Sequence, residues 1–267
     1  MRTVKFILKA SASAFLATAI SSPVFAGAQS GDGDACAGNS EVLIAQDNDN
    51  VDNLLIQPFG TGPNQSLNNA DILLGEGGCD VLIGLLGNDV LDGGDGRDIT
   101  IGGTEQFDPD GFGNKDIIFG GGFNDINIWA PGDGSDAFLG GSGMRDAQIF
   151  GLIDRDVNNV PVLTPVGGSF KETGVPTADV SGSPGFCRLE FVGDTDIGFD
   201  YLVRFFVRAT ESLAVTIRLK DVEQVFCTSE GGGQITFADL TDDHPQFVEV
   251  DINFVQEINR VVSQIIR

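Results

Sequence analysis

Residues 66–101 read SLNNADILL, GEGGCDVLI, GLLGNDVLD, GGDGRDITI: four consecutive nine-residue units, each with aspartate at the sixth place. The beat continues as GGTEQFDPD (102–110), GFGNKDIIF (111–119) and GGGFNDINI (120–128). After Trp129-Ala130 comes PGDGSDAFL (131–139), and after one more residue GSGMRDAQI (141–149). The sixth place holds Asp71, Asp80, Asp89, Asp98, Asp116, Asp125, Asp136 and Asp146, with Phe107 the exception. Glycine dominates the first four places, and Ile, Val, Leu and Phe dominate the last three.

Residue type gives this pattern a physical meaning. Glycines supply the positive-φ conformations of a tight turn and let neighbouring backbones approach closely. A three-residue aliphatic run is a minimal strand. A turn plus so short a strand cannot bury its apolar side alone, so copies must stack on one another. The expectation is an all-β fold whose residues 66–149 form a parallel β-roll or solenoid. Each unit is half a coil, so alternate units share a side. Counting by nines places Asp80, Asp98, Asp116 and Asp136 in one column, and Asp71, Asp89, Asp125 and Asp146 in the other, broken at Phe107.

Such columns repel themselves. Stacked strands lie about 4.8 Å apart, and two carboxylates at that spacing repel by about 3 kcal/mol at an effective dielectric near 20. A hard divalent cation between turns removes the repulsion and can use the turn carbonyls as further ligands. Calcium accepts six to eight oxygens at flexible angles. Magnesium demands stricter octahedral geometry, and zinc prefers Cys and His. Calcium fits best.

The segment 66–149 resembles the RTX, or haemolysin-type, calcium-binding nonapeptide repeat G-G-x-G-x-D-x-U-x. Gly93-Gly94-Asp95-Gly96-Arg97-Asp98 matches its turn in full, and Pro131-Gly132-Asp133-Gly134-Ser135-Asp136 nearly so. The resemblance implies that the eight aspartates ligate calcium between repeats n and n+2 of a β-roll. It also implies a carbonyl role for residues such as Gly75, Gly77, Gly93, Asp95, Gly132 and Gly134. Unit 102–110 lacks the aspartate, and Phe123 stands where a turn glycine belongs. Thr100, Asn127 and Gln148 take the usual inward apolar place, which predicts a looser core in those coils.

The flanks differ from the repeats. Residues 1–26 have a basic start (Arg2, Lys5, Lys9), an apolar run from Ala10 to Ile20, and Val24-Phe25-Ala26 before Gly27. That is the layout of a secretory signal peptide. Removing its three cations takes the formal charge from -24 to -27. So acidic a chain is repelled by nucleic acid and anionic lipid. Its natural partners are calcium ions and, outside the cell, a glycan or a cell-surface protein. No later stretch is apolar and long enough to be read as a transmembrane segment.

Residues 27–65 read as an N-terminal cap, with a short apolar run at Val42-Leu43-Ile44. Residues 150–267 read as a β-rich C-terminal domain. Its strands include Leu189–Val192, Tyr201–Val207, Leu213–Leu219 and Ile235–Phe237. The pair Asp221–Phe226 and Ile235–Leu240 resembles the strands that close RTX rolls. Val255, Ile258, Val262 and Ile265 predict a short terminal helix from Phe254 to Ile266. In an exported chain the four cysteines predict disulfides. Cys187 with Cys227 closes a loop of about 40 residues, worth about 4 kcal/mol in the chain-entropy model; Cys36 with Cys79 is the complementary pair.

Catalytic constellations are not evident. His244 is the single histidine, which excludes an H-E-x-x-H metalloprotease site. There is no G-x-S-x-G elbow. Asp47-x-Asp49 and Asp108-x-Asp110 both fail as EF-hand loops. Trp129, at the irregular coil, is read as packing over a bulge. The sequence therefore points to a secreted calcium-binding protein of the cell exterior with a non-catalytic structural or adhesive role. A small polysaccharide-active enzyme, lyase- or epimerase-like, is the alternative.

Overall fold

A computed structural model of the chain describes residues 40, 42–44, 71–85, 87–103, 115–157, 160–165, 170, 173–193 and 198–250. The signal peptide, most of the 27–65 cap, Cys36 and the Phe254–Ile266 helix expected from the sequence lie outside those residues. The fold is all-β and built on parallel sheets, as the repeat demands.

Two eight-stranded sheets face each other. The first runs in the order Val42–Ile44, Val81–Ile83, Ile99–Ile101, Ile126–Trp129, Ala147–Phe150, Gln224–Thr228, Ile235–Asp239, Val248–Val250. The second runs Gly185–Phe191, Tyr201–Val207, Ser212–Lys220, Ala137–Ser142, Ile117–Gly122, Val90–Gly96, Ile72–Leu74, with Gly77–Gly78 also against Val90–Gly96. Successive half-coils alternate between the sheets, so strands of neighbouring coils pair in parallel: Leu73 with Leu91, Leu91 with Ile118, Ile118 with Phe138. Those four side chains are buried in the middle of the roll.

The pairing corrects the expected stacking. Ile99–Thr100 pairs with Ile126–Asn127, and Val90–Asp92 with Ile117–Phe119. The coil containing Gly102 therefore closes directly on Asp116, where a Cβ on Gly102 would run into Oδ2. The steps from Asp89 to Asp116 and from Asp98 to Asp125 thus each span 27 residues, where the step from Asp80 to Asp98 spans 18.

The expected looseness at Thr100, Asn127 and Gln148 is also corrected. All three are buried, and they form a ladder. Thr100 Oγ1 donates to Asn127 Oδ1 (3.0 Å), Asn127 Nδ2 to Gln148 Oε1 (2.9 Å), and Gln148 Nε2 to the Ile149 carbonyl (3.3 Å). Polar groups in a core are tolerated when each finds a partner in this way.

Both sheets run on into the C-terminal region without a break. Strand Ser212–Lys220 pairs in parallel with Ala137–Ser142, and Gln224–Thr228 with Ala147–Phe150. Residues 212–228 thus make one more coil, although they carry no nonapeptide. The Cys187–Cys227 disulfide ties that coil to the antiparallel strand Gly185–Phe191. Cys79 is buried and disulfide-bonded. Trp129 is buried rather than ligand-facing: its ring lies 5.4 Å from that of Phe150 and 4.7 Å from that of Phe205, joining the roll to the added strands. No helix among the described residues is long and apolar enough to cross a membrane.

Candidate metal centre

The turns at one edge of the roll place Asp80, Asp98, Asp125 and Asp146 in a column; those at the other edge place Asp71, Asp89, Asp116 and Asp136. All eight are at most 2% exposed. Each column is strung on one repeated bond, the amide N–H of one aspartate donating to Oδ1 of the next. The distances are 2.8 Å for Asp71 to Asp89 and Asp89 to Asp116, and 3.0 Å for Asp116 to Asp136. They are 2.8 Å throughout for Asp80 to Asp98, Asp98 to Asp125 and Asp125 to Asp146. The memberships differ from those counted by nines: Asp116 and Asp136 lie under Asp89, and Asp125 and Asp146 under Asp98. There is no break at Phe107.

With Oδ1 engaged, Oδ2 of Asp98, Asp116, Asp125 and Asp146 is buried without a hydrogen-bond partner. Leaving such an oxygen dry and unpaired is costly. Its direction is informative. A Cβ placed on Gly120 would lie 2.6 Å from Asp125 Oδ2 and 2.5 Å from the Gly140 carbonyl oxygen. At Gly93 the same two neighbours are Asp98 Oδ2 and the Gly120 carbonyl, and at Gly75 they are Asp80 Oδ2 and the Gly93 carbonyl. A carboxylate oxygen and the carbonyl of the next turn thus converge beside Gly75, Gly93 and Gly120. Only a residue without a side chain leaves that space open.

The residue after the cradle glycine has its own requirement. Gly94, Gly121 and Gly141, paired with one another across the coils, have φ of 92°, 108° and 99°, and a Cβ on any of them would strike the carbonyl of the coil before it. Glu76 holds the same left-handed conformation, with φ of 64°, in the first described turn.

Electrostatics follows from burial. Loss of solvation holds the carboxyls of Asp98, Asp116 and Asp125 well above their usual range, and column neighbours push further: Asp80 on Asp98, Asp136 on Asp116, Asp98 and Asp146 on Asp125. Burial raises Asp136 to about 7 and Asp146 to about 8. The columns must therefore take up either protons or a cation.

Among the described residues no three Asp, Glu, His or Cys side chains gather at one point. The converging donors are instead a carboxylate oxygen and main-chain carbonyls from adjacent turns, a mixture that suits calcium and does not suit zinc. Of the carbonyl positions implied by resemblance, Gly75 and Gly93 border these cradles. Gly77 and Asp95 are paired across neighbouring coils at the third place. Gly132 is exposed, and the Gly134 carbonyl accepts the Trp129 indole N–H at 3.1 Å, because the Trp129-Ala130 insertion reshapes that turn.

His244 sits with Asp243, Tyr201 and Phe191 at a surface cavity of about 290 Å³, whose lining among the described residues includes no serine or cysteine. No protein-family model, curated protein or solved structure matches the chain.

Proposed function

We propose that this chain is an exported calcium-binding β-roll protein of the RTX type, acting at the cell exterior in a structural or adhesive role without catalysis. One observation supports the reading above all: partnerless, buried Oδ2 atoms of Asp98, Asp116 and Asp125 repeat coil after coil, and those of Asp98 and Asp125 face carbonyls of the next turn. The column aspartates supply the charge, and carbonyls such as those of Gly93, Gly120 and Gly140 complete the coordination. The bound ion neutralises the stacked carboxylates and lets the coils close. The amide-to-Oδ1 bonds hold each carboxylate in position, and the glycines keep the cradles open. The disulfide, the secretory leader and the negative charge agree with a working place outside the cell, where calcium is abundant. An extracellular glycan or a cell-surface protein is the class of partner.

Isothermal titration of the metal-stripped chain tests this reading. Saturable uptake of several calcium ions per chain at roughly 0.1–1 mM, with little response to magnesium, is the expected result. No uptake of calcium would overturn it.

A further inference from the structure

The column that begins at Asp80 does not end with the last nonapeptide. Asp125 donates its amide N–H to Asp146 Oδ1 at 2.8 Å, and Asp146 in turn donates to Glu223 Oε2 at 2.8 Å. Glu223 thus occupies the next carboxylate position, 77 residues further along the chain. The Asp146 carbonyl accepts from the amides of Glu223 and Gln224 at 3.1 and 3.0 Å, which seats this turn as the preceding coils are seated.

The cradle is rebuilt there as well. Beside Gly120 the converging oxygens are Asp125 Oδ2 and the Gly140 carbonyl; beside Gly140 they are Asp146 Oδ2, 2.7 Å from the Cβ position, and the Asp221 carbonyl. Asp221 has a left-handed φ of 50°, the conformation that glycine holds elsewhere in these turns. Asp146 is fully buried and its Oδ2 has no hydrogen-bond partner, so an unsatisfied anionic oxygen points into the space that the added turn closes.

We propose that Asp221-Val222-Glu223 forms a terminal divalent-cation site of the calcium type, with Asp146 Oδ2, the Asp221 carbonyl oxygen and the Glu223 carboxylate as ligands. The site lies outside the repeats and joins the last nonapeptide to the C-terminal strands through a shared ion. It rests on the calcium reading of the columns and adds a ligand set that the repeat pattern does not contain.

The test counts calcium ions by native mass spectrometry on the purified full chain and three variants. Glu223→Gln keeps an oxygen for the Asp146 amide and removes the charge. The expected result is one ion fewer than the parent, or at least a tenfold weaker last ion. Glu230→Gln, which removes an equal charge from an exposed carboxylate paired with Arg188, is expected to retain the parent count. If the parent binds several ions and Glu223→Gln binds the same number with the same affinity, the terminal site is overturned while the columns stand. A parent that binds none overturns both readings. Should Glu223→Gln fail to fold in calcium, Glu223→Asp decides, since it keeps the charge on a shorter arm: one ion weakened about tenfold supports the site, and unchanged binding overturns it.

Discussion

The amide of Asp98 donates to Oδ1 of Asp125 at 2.8 Å across a sequence separation of 27 residues. The corresponding bond from Asp80 to Asp98 spans 18. The geometry is the same and the sequence distance longer by one nine-residue unit. Deleting residues 104–112 would leave Gly102-Gly103-Gly113-Asn114-Lys115-Asp116, itself close to a repeat turn. The deletion variant is expected to melt within a few degrees of the parent and to bind as many calcium ions. A collapse in melting temperature would mean that the segment is part of the stack.

A buried carboxylate that lacks a cation is a liability, and neutralising it separates structure from metal binding. Asp125→Asn is expected to melt in chelator at or above the parent temperature, because burial already disfavours the charge. In about 10 mM calcium it should gain less than the parent, by about 1.4–2.7 kcal/mol per lost ion if each binds at roughly 0.1–1 mM. Thermal melts with and without calcium read both effects.

The pH dependence has a fixed sign. Asp136 and Asp146 are raised from 3.8 to about 7 and about 8, so the folded chain retains protons that the unfolded chain has released. Their contribution to metal-free stability is full below about pH 4 and is lost as pH rises through about 7 to 8. In chelator the β signal should be stronger at pH 5.5 than at pH 8. Calcium competes with those protons, so its affinity should rise over the same interval. Calcium binding that strengthens on acidification would contradict this.

Packing around the turns sets a contrast between two glycines. Gly121 has φ of 108° and its Cβ would collide with the Gly94 carbonyl, while nothing lies within 4 Å of a Cβ on Gly231. Gly121→Ala is expected to cost about 2–4 kcal/mol and Gly231→Ala within about 0.5 kcal/mol, measured by denaturant unfolding in calcium.

Within the core, Asn127 both accepts from Thr100 and donates to Gln148. Asn127→Ala strands two buried partners at once, so a loss of about 2–3 kcal/mol is expected. Loss below about 0.5 kcal/mol would show that the ladder contributes little.

Much of this was legible in the sequence because the turn and its short strand are local. Glycine at the first places and aspartate at the sixth announce a roll, and the structure buries all eight of those aspartates. Cys187 and Cys227 were close enough in the last third to be paired correctly. Column membership was not legible, since an insertion of one full period leaves every later residue in phase; Phe107 marks it only in hindsight. Stacking is decided by which strand pairs with which, and nothing local encodes that choice. Glu223 was missed for the same reason. It joins the column through a coil at 212–228 that has no repeat motif, and only the parallel pairing of Gln224 with Ala147 brings it under Asp146. Thr100, Asn127 and Gln148 read as core defects until their mutual hydrogen bonds were visible.

Calcium-driven closure of the aspartate columns is the central claim, and far-UV circular dichroism of the chelated chain during calcium titration tests it most directly. The account predicts weak β signal without metal at pH 8, a cooperative gain at roughly 0.1–1 mM calcium, and hardly any gain with magnesium. A chelated chain already fully folded at pH 8, with neither its spectrum nor its melting temperature changed by calcium, would contradict it.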